Sequence, residues 1–256
     1  MPDPAPQPIR IAMWSGPRNI STALMRAWSS RADTAVIDEP LYAHYLSTLD
    51  AKKRAAHPVA DDVLAAQPTA WREVAGSLTG PVPNGRSVWY QKHMAHHLTP
   101  EMLDDPAWIR SLTNVFLIRD PAEMLTSFVK VIDTPTREDL GLPQQVRLFD
   151  RLHARFGTPP PVFDAADILR DPETGLAALC DAVGVAFDPA MLAWPEGPHP
   201  DDGVWAPHWY ASVHASTGFG PCKPKNEPVP DRLAGVLSEC RRLYDHLAQF
   251  RRLETA

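Results

Sequence analysis

Ser15-Gly16-Pro17-Arg18-Asn19-Ile20-Ser21-Thr22 is a short stretch whose residue types suit an anion. A chain entering a helix there exposes free backbone N–H groups at the positive end of the helix dipole, which suits a phosphate. Ser21 and Thr22 add hydroxyl donors, and Arg18 adds a fixed charge with a fork of N–H groups. A second set, Arg119 and Ser127, follows in Arg119-Asp120-Pro121-Ala122-Glu123-Met124-Leu125-Thr126-Ser127. Arg119 ends a strand-like run, and Ser127 lies about 10 Å along the next helix at 1.5 Å per residue, so the two can share a phosphate. Plainer readings stand beside both: an ordinary helix cap with a surface arginine, and an Arg119 that pairs with Asp120 or Glu123. Asp38-Glu39 and Lys92-His93-Met94-Ala95-His96-His97 hold the remaining ionisable groups of interest. Asp38 also reads as a helix N-cap. The three histidines lack the H-E-x-x-H order and accompanying cysteines of a zinc site, so no metal is expected.

The elements that must position these residues alternate. Strands are expected at 9–15, 35–38, 87–92, 114–118 and 161–163. Helices are expected at 21–29, 41–54, 61–78 with a break at Pro68, and 232–251. Asp120-Pro121 opens a helix with a cap, a proline at the first helical position, and a Glu123 that completes a capping box. Asp171-Pro172 and Asp188-Pro189 open others the same way. Strand–helix alternation argues an α/β fold with a parallel sheet of about five strands and helices on both faces. Between Trp194 and Lys225 the pattern gives way to an irregular loop rich in Pro, His and Trp, which includes Trp205, His208, Trp209, His214, Lys223 and Lys225. Loops of that length in compact domains are usually functional or disordered.

Pro17-Arg18-Asn19-Ile20-Ser21-Thr22-Ala23-Leu24 resembles the 5′-phosphosulfate loop of sulfotransferases, P-[KR]-S-G-[TS]-T-x-L, in its arginine form of tyrosylprotein and bacterial enzymes. Arg119 to Ser127 resembles the family's 3′-phosphate motif, R-[DN]-P-x(5)-S. The segment from Asp164 to Leu192 is similar to the family's stretch after the fifth strand, so the resemblance runs in order from Ile9 to about Leu192. It implies a three-layer, P-loop-type fold. It also implies transfer of a sulfuryl group from 3′-phosphoadenosine 5′-phosphosulfate (PAPS) to a hydroxyl or amine of a small acceptor, giving PAP, with no metal. Pro17, Arg18, Asn19, Ser21, Thr22, Arg119 and Ser127 would then bind the nucleotide, with Arg18 and Arg119 gripping opposite ends of it. Glu39 falls where family members carry a glutamate base, and Lys92 where they carry a lysine on the sulfuryl group. His93 is a second candidate base, although Met94 stands where the cytosolic branch has its histidine. Ile20 departs from the family's glycine. A β-branched residue does not readily take φ > 0, so the loop must be reached another way or its donors are displaced. The chain also looks like the P-loop portion fused to aminotransferase-like domains in plants, but no second domain is expected here to hold pyridoxal phosphate.

The alternatives are a P-loop nucleotide kinase or NTPase, and a nucleotide-binding relative without catalysis. The NTPase consensus G-x-x-x-x-G-K-[ST] is not met, because Ser15 and Ile20 stand at its glycines and Ser21 at its lysine. The chain has 256 residues and 28 prolines, about twice the usual share of about 5%, which suits long irregular connections. Its formal net charge of −6 offers no global basic face for nucleic acid. No apolar run is long enough to span a membrane, and the start lacks a signal-peptide pattern. Cys180, Cys222 and Cys240 are scattered, so a reducing cytoplasm is the expected setting. Residues 1–8 read as a disordered Pro-rich tail and 9–256 as a single domain. Acceptor and oligomeric state are not legible.

Overall fold

The computed structural model describes residues 7–221 and 227–253. Most of the expected 1–8 tail, together with Cys222, Lys223 and Lys225, lies outside them. Five strands, β1 (Ile9–Ser15), β2 (Thr34–Asp38), β3 (Val88–Met94), β4 (Thr113–Ile118) and β5 (Val162–Asp164), form one sheet in the order β2-β3-β1-β4-β5. Every pairing is parallel. The longer helices are α1 (Ser21–Ser29), α2 (Tyr42–Thr48), α3 (Ala60–Ala66), α4 (Trp71–Thr79), α5 (Pro121–Phe128), α6 (Leu142–Phe156), α7 (Pro172–Ala182) and α8 (Ala234–Ala248).

Alternation along the strands builds two cores. From β1, Ile11 and Met13 pack with Leu24, Met25 and Trp28 of α1 and with Leu176 and Leu179 of α7. Ala12 and Trp14 point the other way, into Trp71, Phe116, Phe149 and Leu247. Strands buried on both faces read as near-continuous apolar runs, which is why 114–118 stood out in the sequence. Several helices start where the Asp-Pro pairs predict. Asp120 accepts from Ala122 N at 2.7 Å, Asp171 from Thr174 N at 3.1 Å and Asp188 from Ala190 N at 2.9 Å. The expected capping box is absent, because Glu123 turns to Arg119 instead. Helix 41–54 is divided: α2 ends at Thr48 and Asp50 caps a new turn at Ala51–Ala55. The irregular region contains two short helices, Ala206–Trp209 and Ala211–His214.

Strand order locates the site. After β1 the chain moves outward to β2, and after β4 it moves outward on the other side to β5. The connections leaving neighbouring β1 and β4 therefore diverge, and such a point at the carboxyl ends of parallel strands is where ligands bind in open α/β sheets. Register brings those ends level, with Ser15 beside both Leu117 and Met94, and Asp38 beside Lys92.

Candidate active site

Two clusters stand at this carboxyl edge. The first joins the loop after β1 to Arg119, just past β4, and to Ser127 in the last turn of α5. Arg18 has left-handed backbone, φ +58°, and its Nε donates to Ser127 Oγ at 2.8 Å. Arg119 donates from one terminal nitrogen to the Arg18 carbonyl at 3.0 Å. Its Nε and other terminal nitrogen hold Glu123 at 2.9 and 2.8 Å. The scaffold reading of Arg119 thus holds for one edge of its guanidinium, while three donations among five N–H groups leave others uncommitted. Burial, and then the neighbouring Arg119 charge, pull Arg18 below the ordinary arginine value. Two guanidiniums set this close repel unless an anion joins them.

The loop answers the question raised by Ile20. Ile20 has φ −87° and serves as N-cap of α1, while the left-handed turn falls on Arg18 two residues earlier. Asn19 is turned inward: its Nδ2 donates to the Leu117 carbonyl at 3.2 Å and its Oδ1 accepts from Ile20 N at 2.9 Å. Gln145 of α6 donates to the carbonyls of Trp14 and Leu117 at 2.9 and 3.0 Å, tying β1 to β4 directly below the loop. A Cβ on Gly16 would run into the Leu140 carbonyl and Met124, so glycine is required there by close approach. Pro17 forms the turn. Helix α1 opens with no side-chain cap and no acid in its first turn. Ser21 and Thr22 are buried in the first turn of α1. Expected at opposite ends of a nucleotide, Arg18 and Arg119 stand side by side at the carboxyl ends of β1 and β4, with Arg18 on Ser127 and Arg119 on the Arg18 carbonyl. The cause is topological, since β1 and β4 are neighbours.

The second cluster is buried beneath the ends of β2 and β3. Lys92 Nζ, 1% exposed, donates to Asp38 Oδ1 at 2.8 Å, Glu39 Oε1 at 2.7 Å and the Tyr210 hydroxyl at 2.5 Å. Burial pulls Lys92 down, but the charges and hydrogen bonds of Asp38 and Glu39 outweigh it and hold Lys92 above the ordinary lysine value. Glu39 is pushed above the usual carboxylate range, by burial first and by the Asp38 charge, against the pull of Lys92. Its backbone is also left-handed, φ +41°. A non-glycine residue held there beside a buried cation marks a strained position, of the kind that concentrates at functional sites. Asp38 is not a helix cap. Helix α2 begins after Leu41 with no capping side chain, and Asp38 belongs to the Lys92 pair.

His93 does not join them. Side chains alternate along a strand, so His93 faces the opposite core from Lys92, stacked on Trp14 at 4.2 Å with Nε2 3.3 Å from Gln91 Oε1. Burial drops its value to about 3. A neutral histidine walled in by tryptophan, across the sheet from the cluster, is in no position to serve as the second base. His96 and His97 pack beside Tyr45 and Tyr42. The sequence reading missed Tyr210, which no spacing rule ties to Lys92. Trp205 turns inward, its Nε1 donating to Tyr210 at 2.9 Å, and His214 bonds Asp202, which also pairs with Arg26 of α1.

Residues 9–242 match the sulfotransferase domain family. The chain belongs to that family. Its curated relatives include two Arabidopsis thaliana proteins, branched-chain-amino-acid aminotransferase-like proteins 1 and 2. They are 40% identical over 223 residues and 35% identical over 238 residues, covering 87% and 93% of this chain. The chain spans only about two fifths of their length, 38% and 41%. Solved structures give the same fold. The sulfotransferase domain of the Synechococcus PCC 7002 olefin synthase superposes with TM-score 0.53 at 15% identity, covering 99% of this chain and 98% of that one. A sulfotransferase from Alicyclobacillus acidocaldarius gives 0.53 at 13% identity, covering 97% and 98%. At such identities the likeness concerns fold alone. Among the described residues of this sulfotransferase domain no helix is long and apolar enough to cross a membrane.

Proposed function

We propose that this domain moves a sulfuryl group from PAPS to a hydroxyl or amine of a small acceptor, releasing PAP. The observation that carries the reading is the pairing of Arg18, bonded to Ser127, with Arg119, bonded to the Arg18 carbonyl, next to the Ser21 and Thr22 hydroxyls at the start of α1. These residues fit an anionic nucleotide: two neighbouring cations that repel each other, and a helix N-terminus without its own cap or acid, are relieved by phosphate oxygens. Arg18, Ser21 and Thr22 would hold the 5′ end, and Arg119 with Ser127 the 3′-phosphate. Pro17 and Asn19 would shape the loop rather than touch the ligand.

PAPS supplies an activated sulfuryl group on a phosphate leaving group, and the remaining work is positioning, charge and proton removal. Glu39 takes the acceptor's proton as the acceptor forms its bond to sulfur and the bridging S–O bond to phosphate breaks. A carboxylate whose proton affinity is raised by burial is a better base for that step than a solvated one. Lys92 keeps Glu39 oriented and places a cation where negative charge gathers.

The test is transfer of labelled sulfate from PAPS across a panel of alcohols, phenols and amines, with Glu39→Gln and Arg18→Ala as controls. Turnover lost in both, with PAP binding weakened only in Arg18→Ala, is the expected result. No PAP binding by calorimetry at micromolar protein would overturn the proposal. Magnesium-dependent ATP hydrolysis would point instead to an NTPase.

A further inference from the structure

An ammonium has three N–H donors, and Lys92 has committed one each to Asp38, Glu39 and Tyr210. Tyr210 is equally committed. A phenol has one proton and two lone pairs. Its oxygen accepts from Lys92 and from the Trp205 indole N–H at 2.9 Å, so its own proton must go to a carboxylate. Asp38 offers oxygens at 2.8 and 2.9 Å, whereas the nearest Glu39 oxygen is 3.3 Å away. The backbone N–H of Gly203 adds a further donor to Asp38 Oδ2 at 3.1 Å. Asp38 therefore collects donors from Lys92, Tyr210 and Gly203, while the well-formed bond to the Glu39 carboxylate comes from Lys92.

From this count we infer that Tyr210 is a positioning residue: by donating to Asp38 it fixes Asp38 as the permanent anion that anchors Lys92, and leaves Glu39 as the carboxylate that exchanges a proton. The functional sense rests on the proposed transfer reaction, while the division of donors rests on the hydrogen bonds alone. It explains why two adjacent carboxylates can share one buried cation without both being spent on it. Adjacent acids become an acid and a base when their surroundings separate their proton affinities, and here a tyrosine from the irregular C-terminal region separates them. The other ionisable groups around the pair do not compete for the role. Tyr42 of α2 faces Glu39 and Tyr90 of β3 faces Asp38, both held neutral first by burial, and His97 beyond Lys92 is likewise held neutral by burial.

Removing the hydroxyl takes a donor from ionised Asp38, so the proton affinity of Asp38 rises and the separation narrows. The test is a titration of the full chain labelled with ¹³C at Asp and Glu carboxyls, assigned through bonds, for the wild type and Tyr210→Phe. In the wild type Glu39 is expected to titrate above Asp38. In Tyr210→Phe the Asp38 value is expected to rise by about one pH unit, the effect of one hydrogen bond to a charged group. PAP affinity stays within about threefold. Asp38 titrating above Glu39 in the wild type overturns the inference, and so do unmoved carboxyl resonances in Tyr210→Phe, even beside lost activity. The wild-type order decides without any Tyr210 variant, so a phenylalanine chain that did not fold would leave the test intact. A wild type that binds no PAP refutes the transfer reaction, but the titration still reads out the tyrosine's role.

Discussion

Lys92→Met is the sharpest perturbation of the buried cluster, because it removes the one cation from between two carboxylates. Both Lys92 and Asp38 have side chains 1% exposed, and Glu39 is 10% exposed, so solvent cannot replace the lost partner. Breaking a buried pair by deleting one side generally costs about 3–5 kcal/mol. That is a large part of the roughly 5–15 kcal/mol that holds a domain folded. The loss depends on pH, and its sign follows from the protons bound. Without Lys92, a buried carboxylate next to another holds its proton more firmly in the folded chain than in the unfolded one, where its value is about 4. The folded state then binds more protons, so stability is retained in acid. It falls as pH climbs from about 4 up to the raised folded value, by as much as about 1.4 kcal/mol per unit for one proton. Urea unfolding of Lys92→Met at pH 5 and pH 8 is expected to show the larger deficit at pH 8. Adding Asp38→Asn, which leaves only one buried acid, is expected to recover part of it. A Lys92→Met chain within about 1 kcal/mol of the wild type at both values, or a double variant less stable than the single, would refute the account of the cluster.

Arg18→Ala is expected to weaken PAP binding by about 10- to 100-fold, the range for one or two charge-assisted hydrogen bonds. Its melting temperature should hold or rise, since a like-charge contact with Arg119 is removed; calorimetry and thermal melts measure the two. Gly16→Ala is expected to destabilise by about 1–3 kcal/mol, because the new methyl meets the Leu140 carbonyl and Met124. Denaturant midpoints read this out. His93→Leu should leave kcat within about threefold, because His93 lies across the sheet from Lys92; a loss of a hundredfold would restore it as a base. Glu39→Gln should abolish turnover while keeping PAP affinity, which separates proton removal from binding in one protein.

The residues that bear motifs were legible in the sequence because each motif is local. Its parts, a strand end, a turn and a helix start, follow one another along the chain, and the Asp-Pro helix starts signal themselves. The register at Lys92 was legible only in part. From the sequence, Lys92 and His93 are equally near the end of a strand, but period-two alternation sends them to opposite faces, and only the packed sheet says which face meets Glu39. The alternative reading of Asp38 as a cap fails for a related reason: Asp before a helix is a strong cap signal, yet a buried cation in register on the neighbouring strand claims its charge.

Tyr210 marks the limit of local reading. Reaching Asp38 from a segment of short helices far along the chain, it is fixed by tertiary contacts, the Trp205 indole and the Gly203 N–H among them, that carry no periodic signature. The same holds for the meeting of Arg18 with Ser127. Each is predicted to touch phosphate, but that they touch each other follows from β1 and β4 being neighbours, a consequence of strand order and not of either motif. The cationic surface and the buried carboxylates are therefore coupled through the sheet: one ends β1 and β4, the other ends β2 and β3, and β1 pairs with β3 between them. Slipping β3 by one residue against both β2 and β1 would turn Lys92 away from Asp38 and take it out of level with the loop that follows Ser15 in the same step. That shared dependence on the register of β3 is a physical reason for the loop around Arg18 and the cluster around Lys92 to stand or fall together.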